Sequence, residues 1–341
     1  MIAALLTEHG RPPAPAEHAL ALPAPEQCRV KVTAAPIVPL DLLCASGTSY
    51  FGPPALPYVP GVSGVGLRDD GTRVWFSTDA GMRPGDGSLA EAAVVPDAET
   101  VPLTDGVPDP QVAALGLSAV AAWMALTWRG GLRAGERVLV LGAGGTVGQV
   151  AVQAATTLGA EVVVAASRRE TCRRRALARG ATAAVDLSLP PRPDAAGGGP
   201  DGAPAGGPAD SSGSDVDELA ARLRAAAGGP VDLVVDPVGG TAATAALRVL
   251  AEHGRLVHLG ASGGPTATFS SAALRSGSHS ILGYTNNALT REQRATALTR
   301  VLELAADGRC EVAYETVPLT EVTDAWVRAG AAPDGRLVVV P

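Results

Sequence analysis

The sequence predicts an α/β protein in which a doubly wound parallel sheet is set inside a discontinuous, β-rich second domain. Three features carry that prediction. The pattern of the chain changes abruptly after Pro110, from short β-type runs among Gly and Pro to long helical stretches. Apolar runs and helical stretches then alternate, as parallel sheets with right-handed crossovers require. Finally, a glycine string lies directly between an apolar run and a helical pattern.

Over the first hundred residues the runs 29–34, 73–77 and 91–95 are short and punctuated by Gly and Pro, which suits a small β-barrel. After Pro110 come a helical stretch at 111–126, a strand at Arg137–Leu141 and a helix at 146–158. A strand at 161–165, an Arg-rich helix at 169–179 and a short strand at 183–186 continue the rhythm. It resumes with strand 232–236, helix 241–250 and strands at 255–259 and Ser280–Gly283. The last elements are expected to return to the first domain: a helix at Arg291–Ala306, a β segment at 312–318, a short helix at 321–328 and a strand at Arg336–Val340. The domains are therefore drawn as 1–109 with 288–341, and 110–287. Residues 189–214 are almost devoid of large apolar side chains and read as a disordered surface insertion.

At 341 residues the chain exceeds the ~100–200 typical of one domain. Apolar residues make up 46% but aromatics only 3%, so the cores must be built from Ala, Val and Leu, and aromatic stacking on nucleic-acid bases is disfavoured. A net charge of −7 with interspersed signs disfavours nucleic acid and anionic membranes as partners. The opening MIAALLTEHG lacks the features of a signal peptide, and no uninterrupted apolar stretch approaches the ~20 residues of a membrane span, so a soluble, cytoplasmic protein is expected. The four cysteines, Cys28, Cys44, Cys172 and Cys310, show no CxxC spacing, which suggests neither disulfides nor a cysteine-based zinc site.

The strand at Arg137–Leu141 runs into Gly142-Ala143-Gly144-Gly145-Thr146-Val147-Gly148 and then into a helix. In that setting the glycines let the backbone approach a diphosphate, while the helix start offers N–H groups and partial positive charge. The unit reads as a Rossmann dinucleotide site, with GxxGxxG spacing in place of GxGxxG. An NAD site carries an Asp or Glu at the end of the next strand, about 20 residues on. Here that stretch reads Ser167-Arg168-Arg169, which offers two guanidinium groups and a hydroxyl to a phosphate. NADPH is the expected cofactor. Arg173, Arg174, Arg175 and Arg179 are expected on a solvated helix face.

Several segments, in order along nearly the whole chain, are similar to the medium-chain dehydrogenase/reductases, especially their zinc-independent, quinone oxidoreductase-like branch. They are Pro39-Leu40-Asp41 with Ser46-Gly47, Leu56-Pro57-Tyr58-Val59-Pro60-Gly61, the glycine loop, the stretch 231–240 and Gly254-Arg255-Leu256-Val257. The resemblance implies a GroES-like substrate domain beside the Rossmann domain, and hydride transfer to a quinone, enone or enoyl double bond. Zinc-dependent relatives have a Cys where this chain has Val38, and Gly-His-Glu where it has Gly61-Val62-Ser63, so no metal site is expected.

Many members also carry an Asn at the position of Val38 and a Tyr at that of Leu43. Without that Tyr, water or a hydroxyl from Ser46, Thr48, Tyr50, Tyr58 or Tyr284 must give the proton, and Tyr50 is the expected donor. Val38, Asp41, Leu43, Ser46, Tyr50 and Tyr58 are thus expected around the substrate. By the same resemblance, Ser118, Asp236, Leu259, Gly260, Ala261, Leu282, Gly283 and Tyr284 join Gly142, Gly144, Gly145, Thr146, Val147, Gly148, Ser167, Arg168 and Arg169 around the cofactor. His258 is expected to pack or bind backbone.

An NADPH-dependent reductase of a small, apolar conjugated carbonyl is the leading expectation. The lost Asn and Tyr leave open a redox-neutral cyclase or isomerase on the same fold, or a non-catalytic NADPH-binding protein. A homodimer through the edge strand Ser280–Gly283 is expected as in the family.

Overall fold

A computed structural model describes residues 1–189, 213–331 and 333–341. The chain divides into two compact units, Met1–Val120 with Asn286–Pro341, and Ala121–Thr285. Both boundaries differ from the expected 109/110 and 287/288. The start of the long helix belongs with the first unit because Asp109 is tied there, accepting from Thr33 Oγ1 and, at 2.5 Å, from Arg73 Nε.

In the first unit β1 (Ile2–Leu5) and β2 (Ala14–Glu17) form an antiparallel pair. Then come β3 (Gln27–Pro36), helix α1 (Pro39–Ala45), β4 (Ser63–Arg68), β5 (Arg73–Ser77), β6 (Ala92–Pro96) and β7 (Thr100–Pro102). Helix α2 (Asp109–Met124) is interrupted at Gly116, whose φ of 31° and ψ of −132° break the helical path, and it passes into a π-helical turn at Ala125–Arg129. The 21 residues Asp109–Arg129 are long and apolar enough to cross a membrane by length and composition, although with Asp109, Gln111 and Arg129 they are not an uninterrupted apolar stretch. Of their most apolar window 72% is buried inside the protein, so that apolarity is used as core.

The second unit is the expected parallel sheet. Its strands are β8 (Arg137–Leu141), β9 (Val162–Ala166), β10 (Ala183–Val185), β11 (Val231–Asp236), β12 (Leu250–His258) and β13 (Ser280–Gly283). All pairings are parallel, in the order β10-β9-β8-β11-β12-β13. The order reverses between β8 and β11, and a crevice outside the strand carboxyl ends at such a point is where open α/β sheets hold ligands. The helices are α3 (Thr146–Thr157), α4 (Glu170–Ala178), α5 (Gly213–Ala226), α6 (Gly240–Leu247) and α7 (Ser271–Ser276). One apolar cluster joins Leu139, Leu141 and Val164 of the sheet to Leu219 and Leu223 of α5 and Ala245 and Ala246 of α6.

Two elements depart from expectation. Helix α6 ends at Leu247 and β12 begins at Leu250, because Leu250 pairs with Val231; an irregular register then carries the strand past His253, which has φ of 59°, into the expected run. Most of the expected insertion 189–214 lies outside the described residues, but Gly213 and Ser214 already open α5.

The chain then returns to the first unit with α8 (Arg291–Ala306), β14 (Tyr314–Pro318), α9 (Val322–Gly330) and β15 (Arg336–Val340). The order β14-β15-β3-β4-β5-β7, with β6 also on β3, makes one seven-stranded sheet of both chain ends. Its core is largely Ala, Val and Leu, with Phe76 and Tyr58 among its few aromatics.

Candidate functional site

The glycine loop leaves β8 at the point where the strand order reverses. Gly142 takes a φ of 66°, a left-handed conformation that glycine adopts without strain. At Gly148 a Cβ would stand 2.3 Å from the Gly142 carbonyl oxygen, so any side chain would push the loop off the start of α3. Gly144 is held as closely, since a Cβ there would meet Cys172 Sγ at 2.6 Å. The loop is braced from within: Gln149 Nε2 donates to the Gly144 carbonyl at 2.9 Å, and Gly145 N–H donates to that of Gly142 at 3.0 Å. Gly145 caps α3, so the first-turn amides of Thr146, Val147 and Gly148 have no acceptor within the helix and face outward at its positive end. Gln149 was not anticipated; a Gln directly after the last glycine is the only trace of its role in the sequence.

At the end of β9, Ser167 is buried and its N–H donates to the Val185 carbonyl at 3.0 Å. Its Oγ lies 3.2 Å from where a Gly144 Cβ would be, which places the hydroxyl against the loop. Arg168 and Arg169 are exposed, and Arg169 is the residue that caps α4. Arg173 corrects the expectation of a solvated face. With 18% of its side chain exposed, it donates from Nη1 to the carbonyls of Ser167 and Arg168, both at 2.8 Å, and pairs with Asp186 at 3.2 Å. It braces the strand end that carries the exposed guanidinium groups.

The carboxyl ends of β11, β12 and β13 carry the other expected residues. Asp236 is fully buried, and its Oδ1 accepts the N–H groups of Val238 and Gly239 at 2.9 and 2.8 Å. Its side chain is therefore spent inside the protein and does not face a ligand, as had been expected. Its carbonyl accepts the Leu259 N–H at 2.8 Å, leaving Leu259, Gly260 and Ala261 at the rim. His258 does not pack or bind backbone: its Nδ1 meets Asp236 Oδ2 at 2.7 Å. Leu282 and Gly283 end the edge strand, where the Gly283 carbonyl accepts Arg129 Nε at 2.9 Å. Tyr284 donates its N–H to the His258 carbonyl and lies edge-on to Trp128, centroids 6.3 Å apart.

In the first unit the expected substrate residues separate into buried and exposed sets. Asp41 is buried, and its oxygens accept the N–H groups of Val38 at 2.8 Å and Val62 at 3.0 Å. Burial pushes its carboxyl up to about 6, although those N–H groups and the charge of Arg336 favour the anion. Arg336 is itself lowered to about 10 by burial, and it donates to the Ile37 carbonyl at 2.9 Å and to Ser118 Oγ at 3.1 Å. Ser118, expected at the cofactor, is thus engaged by Arg336. Tyr58 belongs to the apolar core, its hydroxyl without a hydrogen-bond partner among the described residues and its acidity lowered by burial. Neither Asp41 nor Tyr58 faces outward as a substrate group, and Val38 is buried too. Ser46 closes α1, its Oγ donating to the Leu43 carbonyl and meeting Thr48 Oγ1. Leu43 and Tyr50 are exposed, Tyr50 by 77%, its ring centroid 4.3 Å from that of Phe51.

Residues 209–339 match the family described as zinc-binding dehydrogenase. The chain is 37% identical over 162 residues to rat quinone oxidoreductase, a stretch covering 44% of this chain and 47% of that protein, so the match spans about half of the relative's length. It is 28% identical over 313 residues to bovine quinone oxidoreductase-like protein 2, covering 89% and 81% of the two. The solved quinone oxidoreductase of Thermus thermophilus, also obtained in complex with NADPH, covers all of both chains at 27% identity and a TM-score of 0.76. With the glycine loop at the reversal of a six-stranded parallel sheet and a β domain built from both ends of the sequence, the chain is similar in sequence and fold to the quinone oxidoreductase-like branch of the medium-chain dehydrogenase/reductase superfamily.

Proposed function

We propose that this chain is an NADPH-dependent reductase of conjugated carbonyls, such as quinones, enones or enoyl thioesters, that works without zinc. The observation that carries the proposal is the pairing of a cradle whose Gly142, Gly144 and Gly148 leave no room for a Cβ with a β9 end that carries the buried Ser167 and the exposed Arg168 and Arg169 and has no carboxylate before Glu170. The complex of the Thermus thermophilus relative with NADPH supports the same cofactor. The residues fit the dinucleotide. The α3 amides and helix dipole hold its diphosphate, and Arg168 and Arg169 neutralise the additional phosphate on its adenosine half. When bound, NADPH supplies the hydride.

Zinc does not fit the donor set. Val38, Val62 and Ser63 offer neither thiolate nor imidazole, and among the described residues no three His, Cys, Asp or Glu side chains gather around a common point. The charge that grows on the substrate oxygen as the β-carbon is reduced must then be met by hydrogen-bond donors or a proton. Leu43 cannot give one; Tyr50, seven residues on and exposed, is assigned that role.

The experiment is to follow the reduced-nicotinamide absorbance with a panel of quinones, enones and enoyl thioesters. Oxidation of NADPH by at least one class is expected, and faster than that of NADH. Tight binding without oxidation across the panel would reject the reductase. The non-donating Leu43 would then favour a redox-neutral isomerase or cyclase. A homodimer joined through β13, and a cytoplasmic location, complete the proposal.

A further inference from the structure

The pairing of Asp236 with His258 is not used by the proposed chemistry, and its cost makes it conspicuous. Asp236 and His258 face each other in register at the carboxyl ends of β11 and β12. The carboxylate is fully buried, and among the described residues it accepts from Val238 N–H, Gly239 N–H and His258 Nδ1. A buried carboxylate of that kind only accepts, so Nδ1 is the protonated nitrogen and Nε2 is turned away from it. The imidazole is 40% exposed, and Nε2 has no hydrogen-bond partner among the described residues. This is how a protein fixes the tautomer and orientation of an imidazole whose other nitrogen has work to do.

The strand order indicates that work. The diphosphate cradle lies at the end of β8, and the phosphate-binding arginines lie one strand away in one direction, at β9. The other half of a bound dinucleotide must run in the opposite direction, over β11 and then β12. Strands are spaced about 4.8 Å apart, so the end of β12 is about 10 Å from that of β8, within the span of a nucleotide.

Resting on the NADPH reading above, we propose that His258, oriented by Asp236, hydrogen-bonds through Nε2 to the nicotinamide half of the dinucleotide, at a ribose hydroxyl or the carboxamide, and so positions the ring. Calorimetry with two ligands tests this: NADPH, and 2′,5′-ADP, which carries the adenosine half alone. His258→Asn retains an amide nitrogen to donate to Asp236 but nothing at the place of Nε2. It is expected to weaken NADPH about tenfold while leaving 2′,5′-ADP within twofold of the wild type.

Unchanged NADPH affinity, or equal weakening of both ligands, would overturn the proposal. A wild-type protein that binds neither ligand would overturn the cofactor reading itself, which keeps the two failures distinct. Should the variant not fold, the wild type decides: the assigned His258 imidazole resonance should move with NADPH and stay in place with 2′,5′-ADP. A resonance that ignores both ligands, or follows both equally, sinks the inference.

Discussion

Arg168 and Arg169 are exposed at the end of β9, while Arg173 reaches back to hold the carbonyls of Ser167 and Arg168. Charge-assisted hydrogen bonds to a phosphate are worth about 1.5–3 kcal/mol, roughly tenfold or more in affinity. The double substitution Arg168→Asp with Arg169→Ala is therefore expected to raise KM for NADPH at least about tenfold, against less than about threefold for NADH. Steady-state kinetics with both cofactors measure the ratio, and an unchanged ratio rejects the assignment. For Tyr50, the phenolic hydroxyl is the only group that Tyr50→Phe removes. Turnover should fall at least about tenfold, the lower end of what a positioned acid contributes being larger still; near-normal turnover would remove Tyr50 from the mechanism. The sequence made residue types legible at this scale but not depth. Ser167, Arg168 and Arg169 lie at a strand end by simple counting, whereas Asp41, Asp236 and Arg173 looked available and are engaged by backbone groups only three to six residues away, through local turns that residue type alone does not reveal.

Helix α1 illustrates how an element can depend on one buried carboxyl group. Asp41 sits in its first turn, accepts the N–H of Val38 at the helix start, and reaches across to the N–H of Val62 just before β4. Its carboxyl lies at about 6, up from the ordinary 3.8, because burial penalises the anion. The folded state thus holds this proton more tightly than the unfolded chain, and the associated stability is fully present below about pH 4 and lost as pH rises through about 6. Two pKa units correspond to about 3 kcal/mol. Denaturant titrations of Asp41→Asn should lack that decline between about pH 4 and 6, against a lower plateau, since one of the two N–H groups loses its acceptor. A decline of the same size in the variant would assign it to another group. Among the elements, α5 was legible in principle: Val216, Leu219, Ala220 and Leu223 are buried at helical spacing. The low-complexity run before it drowned that signal. The early start of β12, directly after α6, was not legible, because 249–251 is apolar enough to extend a helix and the pairing of Leu250 with Val231 makes it β.

At the scale of the molecule, alternation of strands and helices sufficed to predict the parallel sheet, because right-handed crossovers leave few other arrangements. The same order leaves β13 at the sheet's edge, paired among the described residues with β12 alone, its outer backbone groups without a strand partner although the Gly283 carbonyl is held by Arg129. Natural edges are usually blunted by charge, proline or a covering element. This one reads Ser-Ile-Leu-Gly, with Ile281 43% exposed, and exposed Trp128 stands close by against Tyr284. A second copy of the strand related by a twofold axis would pair antiparallel and extend the sheet, covering those side chains in a self-complementary contact. Light scattering on the purified protein should therefore give about twice the 34.1 kDa chain mass. Ile281→Lys places a charge at the centre of that contact without touching the β12 pairing, and it should shift the mass to that of one chain while leaving NADPH affinity within about twofold, since a surface substitution perturbs little beyond its own contacts. A wild-type monomer would sink the edge pairing, and a variant that remains dimeric would place the interface elsewhere on the chain.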